Sequence, residues 1–329
     1  MAKILVTGGA GYIGSHTVFT LLQRGHDVIV VDNLSKGYRH NVPHDRLREI
    51  SLQETSRLAD LMRHEKFDAV IHFAAFIAVG ESTQLPEIYF QNNTAGSLSL
   101  LDAMIQVDLK KIVFSSTAAV YGTPSKTPIP EDLPYHPESP YGESKVMVEQ
   151  FLQCFDKFRG MRSVCLRYFN ACGAEPDQNL GEEHVPETHL IPLILRAAAG
   201  EKPVTIFGND YPTKDGSNIR DYIHVIDLAE AHVAAVQHML DGGQSDIFNV
   251  GTGDGYTVFE VIKAVESVTG LSVPHSIGPR RAGDPVSLVA DSTKLRTQLG
   301  WKPTRSDLTE VVRDAWRFEP IRHARAGKQ

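Results

Sequence analysis

The sequence predicts an α/β fold: a doubly wound parallel sheet with a smaller C-terminal α/β part. Two observations carry this. Short, continuously apolar strands alternate with amphipathic helices through the first third of the chain, as in a parallel sheet covered on both faces. A glycine-rich turn, Gly8 to Gly14, joins the first strand to the first helix. Taken in order, Lys3–Thr7 reads as a buried strand and Tyr12–Arg24 as a helix ended by Gly25. Asp27–Val31 is a second strand and Ala69–Ala74 another. A polar loop then leads to a helix over Pro86–Val107, and Lys111–Ser115 is the next strand. Thr123–Pro140 holds six prolines and must be irregular. A helix resumes over Tyr141–Phe158, and Met161–Tyr168 is strand-like. Cys172–Glu187 reads as a polar loop and His189–Ala199 as a helix. Val225–Met239, Val258–Thr269 and Asp307–Phe318 are further helices, with a strand at Ile247–Val250. The basic tail after Pro320 is expected to fray. Right-handed crossovers make the result a Rossmann-type sheet.

Composition narrows the function. In 329 residues, 42% are hydrophobic and 22% charged, enough apolar content for a sizeable core. Lys plus Arg is 33 against 40 Asp plus Glu, a net charge of −7, which argues against nucleic-acid or membrane-surface partners. Cys154, Cys165 and Cys172 are spaced 11 and 7 apart. An odd count without a C-x-x-C pair fits neither a disulfide framework nor a zinc site, so no metal is expected. Gly8-Gly9 cuts the N-terminal apolar segment short of a signal peptide, so the expected location is the cytoplasm.

Gly8, Gly11 and Gly14 follow a strand and open a helix. They suit a tight turn, close approach of backbone to a pyrophosphate, and close helix–strand packing. The helix N-terminus offers unpaired N–H groups and partial positive charge to a diphosphate. Asp32 lies 32 − 14 = 18 residues beyond the last glycine, where a carboxylate binds ribose hydroxyls and repels an extra phosphate. The cofactor is therefore expected to be NAD rather than NADP.

The G-x-x-G-x-x-G spacing resembles the short-chain dehydrogenase/reductase superfamily in its extended form. That resemblance demands Tyr-x-x-x-Lys after a strand ending in Ser or Thr. The chain has Tyr141-Gly142-Glu143-Ser144-Lys145 and Ser115-Ser116-Thr117. Tyr141 and Lys145 are four apart on a helix and share a face. A free tyrosine is a poor base at neutral pH, and a nearby ammonium favours its phenolate. Thr117 would hold the substrate oxygen.

From Lys3 to about Trp316 the chain is most similar to the UDP-glucose 4-epimerase family. Val6 to His16, Asp32-Asn33-Leu34, Val79 to Ser82, Ser115 to Gly122 and Ser139 to Gly142 carry the likeness. So do Leu166 to Asn170, Ile206 to Tyr211, Arg220 to Val225 and Arg280 to Asp284. The resemblance implies interconversion of UDP-glucose and UDP-galactose by transient oxidation at sugar C4, with NAD regenerated in place. Tyr141, Lys145 and Thr117 are the implied catalytic residues. For the cofactor it implies Gly8, Gly11, Tyr12, Ile13 and Gly14 on the turn, and Asp32 and Asn33 after the second strand. Ser51 and Leu52, Phe73, Ala74 and Ala75, and Asn92 follow, with Ser115, Tyr141, Lys145, Tyr168 and Phe169 near the nicotinamide half. For the UDP-sugar it implies Thr117 and Tyr141 at the sugar. Asn170, Arg220 and Arg281 fall towards the diphosphate, Leu190 and Phe207 towards uridine, and Leu288 at the pocket position for N-acetyl groups, with His189 and Asp284 as further substrate residues.

Residues also separate this chain from relatives. Ala118 and Ala119 stand where sugar-nucleotide dehydratases carry an Asp-Glu pair, and alanine cannot move protons. Ile50-Ser51 replaces the family's usual Gly-Asp at the adenine, which weakens that contact. Ile77 replaces a lysine near the nicotinamide half. Leu288 is intermediate in size and leaves N-acetyl tolerance open. The alternatives are a 4-epimerase of UDP-glucuronate, UDP-pentoses or UDP-N-acetylhexosamines, or a non-catalytic NAD-binding protein. Residues 1–170, joined by about 222–250, should form the NAD half; 171–221 and 251–329 should form the UDP-sugar half. The family resemblance implies a homodimer through helices near Pro86–Val107 and Tyr141–Phe158.

Overall fold

A computed structural model of the chain describes residues 1–281 and 283–327. The strands of its main sheet are β1 (Lys3–Thr7), β2 (Asp27–Asp32), β3 (Leu47–Glu49), β4 (Ala69–His72), β5 (Lys111–Ser115) and β6 (Arg162–Tyr168), joined by a later strand. The chain leaves this sheet through β7 (Asn170–Cys172), β8 (Val204–Phe207), β9 (Ile219–Arg220) and β10 (Tyr222–His224). It returns as β11 (Asp246–Val250) and leaves again through β12 (Tyr256–Thr257), β13 (His275–Gly278) and β14 (Ser287–Leu288). The seven-stranded sheet has the order β11-β6-β5-β4-β1-β2-β3, and every neighbouring pair is parallel. The strand order reverses between β1 and β4. Loops leaving those two strands diverge and open a crevice at the carboxyl edge.

Helices cover both faces. α1 (Tyr12–Gln23) packs against α8 (Val225–Leu240) on one side. On the other lie α2 (Thr55–Glu65), α5 (Gly96–Gln106) and α6 (Pro140–Arg159), preceded by short α3 (Val79–Gln84) and α4 (Pro86–Tyr89). Each face has its own core: Ile4, Val6 and Val30 point to the first, Leu5, Ile29 and Val31 to the second. That alternation inside continuously apolar strands is why they read as buried on both sides. A further apolar cluster is built by α7 (Leu190–Ala198), α9 (Val258–Thr269) and α11 (Leu308–Ala326) against β8 and β10. α10 (Thr293–Leu299) packs on β11.

Helix ends follow local chemistry. At the start of α6 the Ser139 hydroxyl accepts from the Gly142 N–H (3.1 Å), Pro140 occupies the first turn, and Gly160 ends it at φ +66°. A reciprocal capping box, Thr257 with Glu260, starts α9.

Four expectations need correction. Between Val31 and Ala69 the apolar pattern marks no element, and the resemblance implies only a third strand ending at Ile50-Ser51; β3 lies there, and α2 follows it. β3 is a three-residue edge strand, too short to show a pattern. The polar loop before Pro86 contains α3. The helix over Pro86–Val107 is interrupted by a π-helical stretch, Phe90–Ala95. There the buried Asn93 amide bonds the backbone of Phe76 in both directions (2.8 and 3.0 Å) and Ser144 Oγ (3.1 Å). The extra residue per turn aims Asn93 at those partners. Finally, the tail does not fray: α11 runs through Pro320 to Ala326. Arg322 grips Glu319 (2.7 Å) and Glu201 (3.1 Å), and Arg325 bonds the Asn179 carbonyl (2.8 Å) and Glu183 (2.5 Å). These contacts outweigh one lost helical hydrogen bond.

One buried ion pair joins α6 to the sheet. Arg167 on β6 meets Glu149 on α6 through two bonds of 3.0 and 2.6 Å, with both side chains essentially inaccessible. Ser116 Oγ donates to Glu149, as does Tyr135 OH (2.9 Å), and Arg167 also reaches Tyr121 OH (2.8 Å). Removing one partner strands a buried charge. Arg167→Met should therefore cost roughly 3–5 kcal/mol in urea unfolding. The double variant Arg167→Met/Glu149→Leu should lose less than the sum of the single losses; strict additivity would show that the two groups are not coupled.

Candidate active site

The crevice begins at the turn after β1. Gly8 has φ +73°, and an added Cβ would lie 2.5 Å from the Ala74 nitrogen just past β4. At Gly14 a Cβ would lie 2.3 Å from the Gly8 carbonyl oxygen. Both glycines are demanded by the protein's own packing. Gly11 is different: its nearest neighbour would be the Gly8 oxygen at 3.4 Å, so no protein contact requires a glycine there. The bare backbone at the start of α1, with no side-chain cap on Gly11, is a cradle that fits a diphosphate. Tyr12 donates to the Gly173 carbonyl (2.6 Å) and ties the turn to the far side of the crevice; Ile13 is half-buried beside it.

The other expected cofactor residues line the same carboxyl edge. Asp32 ends β2, with its carboxylate accepting from Ala10 N–H (3.0 Å) and Leu34 N–H (2.8 Å). Burial pushes its pKa up, and the two N–H bonds oppose that. Each oxygen keeps acceptor capacity for a ribose hydroxyl. Asn33 forms a local turn with Ser35 N–H (3.1 Å). Ser51 and Leu52 follow β3; the Ser51 hydroxyl is engaged with Gln53, and Leu52 is buried. Phe73, Ala74 and Ala75 follow β4, where Phe73 and Ala74 N–H both donate to the Thr7 carbonyl. Asn92 sits in the π-helical stretch and donates to Asn93 Oδ1 (3.0 Å).

Across the sheet edge, the expected catalytic side chains converge. The Lys145 ammonium donates to the Ser115 carbonyl (2.9 Å) and lies 5.9 Å from the Tyr141 ring centre. Tyr141, Lys145 and Thr117 are all buried. Ser115 Oγ lies 2.9 Å from Tyr168 OH, with Phe169 buried next along the chain. Burial lowers the Lys145 pKa to about 7, despite Glu149 one turn further on. Burial also raises Tyr141, reinforced by Tyr168, while a hydrogen bond with Thr117 pulls the other way. Desolvation therefore opposes the phenolate that the resemblance assigns to Tyr141.

Besides Thr117 and Tyr141, the expected UDP-sugar residues fall into four groups. Asn170 Nδ2 donates to the Asp221 carbonyl (3.0 Å) at the β7–β10 pair. Arg220 on β9 is paired with Asp284 and donates to the Ile219 and Pro285 carbonyls (2.7 and 3.0 Å). Leu288 stands opposite Arg220 in register on β14. The Arg281 guanidinium lies 3.9 Å over the Phe207 ring. His189 caps α7 just before half-buried Leu190, and its ring is bonded to Glu182. Burial alone would lower the His189 pKa, but Glu182 and Glu187 raise it to about 10.

Several site-building residues escape a sequence reading. Glu149 and Arg167 are 18 apart and meet only through folding. Asn93, next to the expected Asn92, is the buried member of that pair. Glu182, His184 and Glu187 lie in what reads as a polar loop. The repeat E-x-H-x-x-E-x-H was the signal available there.

The two kinds of glycine separate by experiment. Gly11→Ala should leave stability within about 1 kcal/mol, the scale of a helix N-cap change. It should weaken dinucleotide binding more than about tenfold, or 1.4 kcal/mol. Gly14→Ala should lower the melting temperature as well. Equal binding by Gly11→Ala and the parent chain, in calorimetry, would remove the cradle assignment.

Comparison with known proteins agrees with this geometry. The family model described as "NAD dependent epimerase/dehydratase family" matches residues 4–251. The UDP-glucose 4-epimerase of Lactobacillus helveticus is 49% identical over 318 residues, 96% of this chain and 96% of that one. That of Lacticaseibacillus casei is 49% identical over 317 residues, again 96% of each. The structure of the Brucella ovis UDP-glucose 4-epimerase in complex with NAD superposes with a TM-score of 0.94 at 44% identity, covering 96% of this chain and 98% of that one. A Stenotrophomonas maltophila UDP-glucose-4-epimerase with bound NAD and formylated UDP-arabinopyranose gives 0.94 at 41%, covering all of both chains. With its full length matched and its glycine turn and Tyr-Lys pair in place, the chain belongs to the NAD dependent epimerase/dehydratase family, among its UDP-glucose 4-epimerases.

Proposed function

We propose that this chain interconverts UDP-glucose and UDP-galactose by transient oxidation at sugar C4, using NAD. The observation that carries the reading is the convergence of Tyr141, Thr117 and Lys145 at the sheet edge that also holds the open glycine cradle. When bound, NAD supplies the reversible acceptor for the C4 hydride. Gly8, Gly11 and Gly14 would admit its diphosphate, and Asp32 its adenosine ribose. Tyr141 takes the proton from the sugar 4-hydroxyl and gives it back once the sugar has presented its other face. Thr117 holds that oxygen. Lys145 favours the phenolate that burial opposes. The sugar must turn while its anchor stays still, so Arg220, Arg281 and Asn170 are assigned to the diphosphate and Leu190 and Phe207 to uridine. Arg220 already held by Asp284 is pre-organised for that task.

The division of labour follows the main sheet on one hand and the separate α7, α9 and α11 cluster on the other. Residues 1–170 with 222–250 carry the NAD side, because β11 completes the main sheet. Residues 171–221 and 251–329 carry the UDP-sugar side. We also assign a homodimer and the cytoplasm. Ile88, Leu98 and Phe158 are exposed apolar side chains on the two expected interface helices, and the three cysteines are free thiols. Among the described residues, no helix is long and apolar enough to cross a membrane.

Conversion of UDP-galactose to UDP-glucose, followed by proton NMR, is the direct test. Tyr141→Phe should retain NAD and slow turnover at least about 10²-fold. Near-normal turnover would remove Tyr141 as the base. Asp32→Ala should weaken NAD more than NADP; an unchanged preference would release Asp32 from the ribose.

Lys145 has a second readout. Its pKa is about 7 in the folded chain against 10.5 for an unperturbed lysine. Between those values the folded chain has lost a proton that the unfolded chain keeps, so stability rises with pH across that window. Lys145→Met should flatten the rise in denaturant titrations of cofactor-stripped protein. A slope identical to the parent's would mean the ammonium is not buried.

A further inference from the structure

We infer that Glu182, His184, Glu187 and His189 form a binding site for a divalent transition-metal ion of the zinc class. One ligand atom from each converges, and all four lie within 4.8 Å of one another. His184 Nδ1 is 2.8 Å from Glu182 Oε1, and His189 Nδ1 is 3.4 Å from Glu187 Oε1. Tetrahedral ligands at zinc distances of about 2.0–2.1 Å lie about 3.3 Å apart, so small side-chain rotations close the shell.

Charge and chemistry point the same way. The Glu182 and Glu187 side chains are 6% and 1% exposed. Two buried carboxylates need compensation. Arg196 stands 3.4 Å from Glu187, whereas the hydrogen-bond partners of Glu182 are the two imidazoles. A divalent ion held by all four groups supplies that compensation directly. Two imidazoles beside two carboxylates select a borderline ion such as zinc over magnesium or calcium, which prefer an all-oxygen shell.

The cluster lies beside the glycine turn that opens α1. The His184 ring packs edge-on against Tyr12, 6.1 Å between centres, at the start of α1. Between the ligands, the Glu183 carbonyl accepts from Tyr38 OH (2.9 Å), and its carboxylate takes His40 (3.1 Å) and Arg325 (2.5 Å). An ion here would fix segment 182–189 against the cofactor turn and set the first residues of α7. Its role is positioning.

The test is metal content and geometry on the full-length chain. Protein stripped with a chelator, reloaded with zinc alone and desalted should hold about one zinc per chain by elemental analysis. Magnesium should not load. His184→Ala and Glu187→Gln should bind zinc at least about tenfold more weakly, while His64→Ala, at an exposed histidine on α2, should bind like the parent. Because a ligand variant could fold poorly, the parent chain is also loaded with cobalt, whose visible spectrum reports geometry. An intense tetrahedral spectrum supports the site. A weak octahedral spectrum, substoichiometric zinc, or equal zinc in parent and His184→Ala would overturn it.

Discussion

The active site hangs on one buried ion pair. Glu149 and Arg167 lie in an environment where an unpartnered charge would be very costly, so they hold each other in one geometry. Through that geometry α6 is locked onto β6, and Ser116 is drawn to Glu149 directly before Thr117. Tyr121 reaches from Arg167 to Asn249 (2.7 Å), which couples the short helix after Thr117 to the last strand of the sheet. Tyr135 fastens the proline-rich segment to the same carboxylate. A stretch with six prolines cannot hold itself by a continuous backbone ladder; Tyr135 and a short backbone bridge at Ile129 fasten it instead. Tyr141, Lys145 and Thr117 inherit their positions from this arrangement.

The same burial creates an electrostatic tension. Lys145 and Tyr141 are both removed from water, which disfavours ammonium and phenolate alike. Burial thus sets both groups against their charged forms, while the Thr117 hydrogen bond favours the phenolate of Tyr141.

Acidic anchors do comparable work in the C-terminal part. Buried Asp221 accepts from Thr252, Gly253 and Ala290 backbone N–H groups, and its own carbonyl receives Asn170. Asp227 accepts from Thr304, Arg305 and Ser306. These carboxylates gather segments that are far apart in the chain and lack regular structure of their own. They place Arg220, Leu288 and the start of α11 against the edge of the main sheet. The proposed metal cluster at 182–189 extends this use of buried carboxylates to the boundary between cofactor and substrate.

What the sequence determined by itself was local. The glycine turn, Asp32 and the Tyr141–Lys145 pair follow from spacings of a few residues, and the apolar strands from runs of four to six. Short-range geometry dictates such features, so they can be read without a fold. β3 was hidden because three residues, one buried, one half-buried and one exposed, are too few to carry a periodicity, and the last turns of α11 because Pro320 signals a stop that distant Glu201 and Glu183 override. Tertiary structure alone decided the Glu149–Arg167 pair, the role of Asn93 and the direction of the Tyr141 and Lys145 pKa shifts. Burial and long-range partners set these, and both are properties of the folded chain, absent from any window of sequence.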